Sequence, residues 1–177
     1  MSMIFCKGIK TEDDLKNIYE LDKEAYSSTY LLDYDQYVKR IKKNPETFYI
    51  LKNSSNCIMG YVSLIPIDEK TYARIKNGEI DKDVITEDSI LTKKDNPELI
   101  YLDSIIIGKK YRKNKLSHYL LHNALKELRK DYPNTKKLLA RTISKGGKAV
   151  VEKISMNVVK RIDKDVYIFE RILKTMK

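Results

Sequence analysis

The sequence predicts an α+β fold: a mixed, mostly antiparallel sheet flanked by helices, in the order β-α-α-β-β-β-α-β-α-β-β. Three observations point to it. Short β-rich runs face each other across polar clusters at Asn53-Ser54-Ser55-Asn56 and Asp163-Lys164-Asp165, which signals antiparallel hairpins. A strong strand pattern at Leu99–Ile107 leads through an amphipathic helix to another strand at 138–143, which gives one crossover connection. Helical stripes are interspersed with these runs, so helices must cover the sheet.

Met3–Lys7 alternates weakly and reads as a first strand. Thr11 then precedes Glu12-Asp13-Asp14, an N-cap followed by acids that suit the positive end of a helix dipole. The helix carries an apolar stripe at Leu15, Ile18, Tyr19, Ala25 and Tyr26, interrupted by Asp22. A second helix over 33–43 places Tyr34, Tyr37, Val38 and Ile41 on one face and ends at Asn44-Pro45. Residues 47–52 and 57–65 form a hairpin, with Gly60 inside its second strand and Pro66 at its end. Residues 68–98 form a long connection with a short helix at Glu69–Lys76 and a turn at Asn77-Gly78. A connection this long is usually functional or disordered. A basic loop over 108–114 follows the strongest strand. The helix over 115–130 then turns Leu116, Leu120, Leu121, Ala124, Leu125 and Leu128 inward. After the strand at 138–143, a helix over 146–156 is stopped by Asn157 as a left-handed cap, and strands at 158–162 and 166–173 close the chain. No repeat, low-complexity tract or linker divides it, so residues 1–177 are expected to form one domain.

Composition narrows the function. Cys6 and Cys57 stand beside apolar residues and read as two buried free thiols, with no CxxC or Cys/His cluster. His118 and His122 stand four apart on one helix without a third ligand, so no metal is expected. The apolar runs are too short to span a membrane, and Lys7 and Lys10 interrupt the N-terminal apolar patch, which excludes a signal peptide. A cytoplasmic protein is expected. The net charge of +10 is uneven: residues 1–67 balance, residues 68–108 carry −4 and residues 109–177 carry +14. An anionic partner should therefore meet the C-terminal part. A nucleotide cofactor fits better than nucleic acid, since no nucleic-acid recognition motif or interleaved exposed aromatics accompany the charge.

The segment from Ile100 to Leu121 carries the chemistry. A loop with Lys109, Lys110, Arg112, Lys113 and Lys115 opens a helix whose first N–H groups lack acceptors, which is a pyrophosphate site by construction. The run Arg112-Lys113-Asn114-Lys115-Leu116-Ser117 resembles the R/Q-x-x-G-x-G/A motif of the GNAT N-acetyltransferases, and the element order resembles that family over essentially the whole chain. The resemblance implies acetyl-CoA as co-substrate. Ile105, Ile106, Ile107 and the run from Arg112 to Ser117 would bind it, with pantetheine pairing to the strand backbone where two strands splay. Lys115 and Ser117 occupy the motif's glycine positions; a left-handed backbone is costly for lysine, so a right-handed Lys115 is expected.

Asp103 is the lone carboxylate of the apolar strand. Strict alternation would put it on one face with Tyr101, Ile105 and Ile107, desolvated and with a raised pKa. The resemblance implies a base acting on the acceptor amine; a structural aspartate is the other reading. The family's usual thiolate-protonating tyrosine is missing: Lys153 stands at its position, and no tyrosine occurs from 142 to 165. The resemblance places the acceptor between residues 26–32 and the acid-rich connection over 68–98. The expected activity is acetyl transfer to a primary amine of a small molecule or protein. The alternative is a catalytically weak acyl-CoA-binding or interaction domain of the same fold. A homodimer is compatible with either.

Overall fold

The computed structural model describes residues 3–79, 81–112 and 115–173. Among these, seven strands form one sheet: β1 (Met3–Lys7), β2 (Phe48–Asn53), β3 (Ile58–Pro66), β4 (Leu99–Ile107), β5 (Lys137–Thr142), β6 (Asn157–Arg161) and β7 (Tyr167–Ile172). Their spatial order is β1-β2-β3-β4-β5-β7-β6. Only β4 and β5 pair in parallel; the other neighbours are antiparallel. The helices are α1 (Glu12–Ala25), α2 (Tyr34–Lys43), α3 (Glu69–Lys76), α4 (Leu116–Asp131) and α5 (Lys145–Lys153). This is the expected mixed sheet with its expected element order. None of the described helices is long and apolar enough to cross a membrane.

The sheet buries both faces. On one, α4 and α5 set Leu120, Leu121, Ala124, Leu128 and Val151 against Leu64, Ile100, Leu138 and Phe169. On the other, α1 and α2 pack Ile18, Tyr37 and Ile41 against Ile50 and Tyr61. Beside them α3 packs Tyr72 and Ile75 against Ile65, Tyr101 and Leu139. Thr11 caps α1 as its sequence implies, accepting from the Asp14 amide at 3.0 Å. The long connection after α3 is neither disordered nor a loose loop. Val84, Ile85 and Ile90 are buried in the α3 layer, and Ile90 bridges to Ile67. Asn157 is not the left-handed stop of α5: Ser155 takes that conformation at φ 59°. The Met156 amide bonds back to the Val151 carbonyl at 3.2 Å, which leaves Asn157 to begin β6.

One irregularity in β4 sets the geometry of the strand's far end. Ser63 pairs with Ser104, but Leu64 pairs with Leu102, so Asp103 is an extra residue with no partner on β3. A bulge of this kind reverses the inward and outward alternation beyond it. Tyr101 therefore belongs to the α3 layer, while Ile105 and Ile107 join Ile100 and Leu102 on the α4 side. The single face expected for Tyr101, Asp103, Ile105 and Ile107 does not exist.

Gly60 lets β3 pass close to the far end of β4. A Cβ there would collide with the Ile106 carbonyl oxygen and lie 2.6 Å from Ile107 Cδ1. Overpacking against backbone costs about 1–3 kcal/mol. Gly60→Ala should lower the urea-unfolding free energy by that amount; an unchanged midpoint would mean that the two strands separate without cost.

Candidate active site

β4 and β5 pair only from Leu99↔Lys137 to Leu102↔Ala140. Beyond that point β4 stays with β3 to Ile107, and β5 stays with β7 to Thr142. From Asp103 onward the freed edge of β4 has no strand beside it among the described residues. A cleft of about 550 Å³ fills the gap. Ile105, Ile106 and Ile107 line one side and Thr142, Ile143 and Ser144 the other, with Gly146 and Gly147 of α5 beside them. Arg112 and Ser117, from the segment that opens α4, also face it. The Arg112 side chain donates from Nε to the Ile107 carbonyl at 3.1 Å, tying the loop to the end of the strand.

Lys115 precedes α4 with φ 55° and ψ 19°. That overturns the right-handed conformation expected for a lysine. The chain leaves β4 and enters α4 through a left-handed residue whatever the side chain, and the lysine carries a cost of about 1–2 kcal/mol that glycine would avoid. Lys115 makes no side-chain cap. By contrast, Thr11, Asp68 and Ser144 cap α1, α3 and α5. The first amides of α4 thus keep free donors and the positive end of the dipole. Leu116 turns its side chain into the core, so only its backbone is available there. Lys113 and Asn114 lie outside the described residues.

A smaller cavity of about 70 Å³ adjoins the cleft, with Tyr26, Asp103, Ser104, Arg141 and Ile143 lining both. Burial pushes the Asp103 carboxyl above the usual carboxylate range, while Arg40 and Arg141 pull it back. Asp22 faces the same cavity from α1 and is 5% exposed. Burial pushes it up to about 7, against the hydroxyl of Tyr61, which donates to Oδ1. Tyr26 shares a hydrogen bond of 3.0 Å with Ser104 Oγ, and burial raises its phenol well above the usual range. The Tyr37 hydroxyl is buried in this wall beside Asp22 and Tyr61. Arg40 donates from Nη2 to the Lys82 carbonyl at 2.6 Å, and the Arg141 guanidinium lies 5.6 Å from the Tyr30 ring centre. Two carboxyls with raised proton affinity can exchange protons with an amine near neutral pH.

The structure brings Asp103, Ile105, Ile106, Ile107, Arg112 and Ser117 to one cleft. Residues 26–32 supply a wall of the smaller cavity as expected, through Tyr26, Tyr30, Leu31 and Leu32. Several acids of the connection over 68–98 are engaged locally: Asp68 caps α3, Glu79 pairs with Arg74, Asp95 accepts from Thr92 and Glu98 pairs with Lys136. Among the described residues of that connection, Lys82 lines the smaller cavity, and Asp83 and Glu87 line a neighbouring pocket with Arg40. Lys153 is exposed and does not line the cleft. Sequence reading missed Asp22, Arg40 and Arg141. The signal for Asp22 was present: a carboxylate in an apolar stripe.

The profile of the Acetyltransferase (GNAT) family matches residues 13–150. The chain belongs to the GNAT acetyltransferase family. No curated protein sequence matches it. Solved structures share the fold at low identity. The loading GNATL domain of CurA from Lyngbya majuscula superposes with a TM-score of 0.75 at 12% identity, covering 97% of this chain and 98% of that one. The NatC complex bound to Gag peptide and CoA gives 0.70 at 15%, covering 98% and 100%. The ribosomal-protein-S18-alanine N-acetyltransferase from Escherichia coli gives 0.64 at 11%, covering 99% and 97%.

The raised Asp22 carboxyl has a thermodynamic consequence. Between about pH 4 and about pH 7 the unfolded chain has released this proton and the folded chain retains it, so stability falls as pH rises through that window. Asp22→Asn keeps the acceptor for Tyr61 and removes the titration. Relative to wild type, the variant should gain on the order of a few kcal/mol between about pH 4 and about pH 8. Urea unfolding at several pH values measures this; parallel pH profiles would place the Asp22 carboxyl in the ordinary range.

Proposed function

We propose that the chain transfers an acetyl group from acetyl-CoA to a primary amine of a small molecule or protein. The observation that carries this reading is the strand edge bared beyond Leu102, running toward the uncapped start of α4. The cleft suits an extended arm that ends in phosphates: backbone groups of Ile105 and Ile107 offer pairing along it. The amides that open α4, with Arg112 and the segment Lys113-Asn114-Lys115, offer donors and positive charge for a pyrophosphate. Ser117 is small enough to allow close approach. When bound, acetyl-CoA supplies an activated carbonyl carbon and a thiol leaving group.

The protein's part is proton handling and placement. Asp103 stands where the two cavities meet and takes a proton from the incoming ammonium, directly or through one water, which frees the nitrogen lone pair. Asp22 holds a second proton nearby and keeps a second full negative charge out of the wall. Tyr26 offers a hydroxyl on the shared wall that can hydrogen-bond a departing sulfur, where the tyrosine after α5 is missing, while the net proton comes from the attacking nitrogen. The left-handed lysine in place of glycine favours the alternative of a weak acyl-CoA-binding domain, and steady-state turnover separates the two.

Calorimetry with acetyl-CoA should show binding below millimolar concentration. Ser117→Glu puts a carboxylate and added bulk against the phosphates and should weaken that binding at least about tenfold. The fold should survive, since an acid in the first turn favours the isolated helix by about 0.3–1 kcal/mol. Equal affinity in the variant would put the phosphates elsewhere.

Asp103→Asn preserves shape and removes the base. Turnover should drop by about 10²–10⁴-fold while acetyl-CoA affinity holds, and the acidic limb of the pH–rate profile should disappear. Full activity with an unchanged profile would make Asp103 structural.

A further inference from the structure

The smaller cavity is poorly built for an acceptor that carries only positive charge. Two guanidinium groups, Arg40 from α2 and Arg141 from β5, line it opposite Asp103. Asp22, pushed up to about 7 by burial, adds only part of a negative charge near neutral pH. Lys82, also on the wall, is paired with Asp33 at 3.6 Å. Arg40 is the telling group. It is largely buried, it donates to one backbone carbonyl, and it makes no ion pair within 4.0 Å among the described residues. A guanidinium placed only to neutralise Asp103 would close to bidentate contact. Asp103 and Asp83 act on Arg40 from beyond contact distance, so a buried cation is left without a direct ion pair in a desolvated wall. Tyr37 adds a buried hydroxyl to the same wall, beside Asp22 and Tyr61. The volume of about 70 Å³ holds roughly five waters, the size of an amino-acid head group and too small for a long polyamine.

We propose that the acceptor is a small amine that also carries a carboxylate, an amino-acid-like zwitterion. Its carboxylate is received by Arg40 and Arg141, with the Tyr37 hydroxyl as a further donor, and its amine meets Asp103 at the opening to the cleft. This rests on the acetyl-transfer reading and narrows it: the guanidinium pair selects the substrate, and Asp103 prepares its nitrogen. Asp103 takes one proton from the ammonium, the freed nitrogen bonds to the acetyl carbon, the carbon–sulfur bond breaks, and the second proton that the nitrogen sheds ends on the sulfur, so the products are an N-acetylated carboxylate and a free thiol.

The test uses the full chain with acetyl-CoA and matched acceptor sets: L-amino acids, their carboxamides and their decarboxylated amines, compared at equal concentrations of neutral amine. Thiol release gives kcat/KM. The carboxylate-bearing member of at least one set should exceed its carboxamide by about tenfold or more, the scale of a lost charge-assisted hydrogen bond in a closed site. In Arg40→Gln that preference should collapse to within about twofold while calorimetric acetyl-CoA affinity stays unchanged, and in Arg141→Gln, a residue that also borders the cleft, the preference should collapse likewise. If Arg40→Gln fails to fold, Arg141→Gln carries the test. Carboxamides or polyamines that react as well as amino acids overturn the proposal, as does a preference that survives both substitutions. It also falls if acetyl-CoA binds but no amino acid reacts or binds to the complex. Absence of acetyl-CoA binding instead removes the transfer reading beneath it.

Discussion

Between Leu102 and Ser104, β4 carries one residue more than β3 can pair, and the site hangs on that insertion. A regular strand would have continued its ladder with β5 and sealed the sheet. The bulge at Asp103 increases the local twist and turns β4 away just where its pairing with β5 ends. Three effects share this cause. A backbone edge is bared along a cleft, the isoleucines beyond the bulge change faces, and the one carboxylate of the strand is left at the junction of two cavities. Gly60 on β3 and the bond from Arg112 to Ile107 hold the diverted end in place.

The electrostatics of the wall arise from burial. Asp22 and Asp103 sit where water is scarce, so both carboxyls hold their protons more tightly than exposed ones. The desolvation that would penalise a permanent charge makes them suited to exchanging protons. Arg40 and Arg141 restrain Asp103 from becoming simply neutral, and Tyr61 does the same for Asp22. The positive end of α4 acts at the other end of the cleft, where the aligned peptide groups supply charge without a titrating side chain. One cleft thus joins a titratable end to a fixed positive end.

Much of the fold was legible because local chemistry and global structure agree. Thr11 with the acids behind it, the Glu69–Lys76 helix and the Leu99–Ile107 strand stand where periodicity and capping put them. The connection after α3 was harder, since Val84, Ile85 and Ile90 are scattered among charges and show their burial only once α3 is docked. In the site, the strand and helix start were readable from Ile105 to Ser117. The bulge was not, because Leu102-Asp103-Ser104 alternates acceptably as a plain strand and only the register with β3 reveals the extra residue. Arg40 and Arg141 lie 101 positions apart in the chain and meet through tertiary packing alone. Lys115 is the reverse case: residue preference indicated a right-handed backbone, and the demand of the turn into α4 overrode it.

On the proposed reading, the gap opened by the bulge receives the acyl donor. Backbone amide shifts of the isotope-labelled chain, followed by NMR during titration with acetyl-CoA, test it most directly. The largest changes should fall on 103–107, on 115–118 and on 142–147, the two sides of the cleft and the start of α4. Changes concentrated instead on the basic β6–β7 hairpin, with the amides of Ile105 and Ser117 unmoved, would contradict the account.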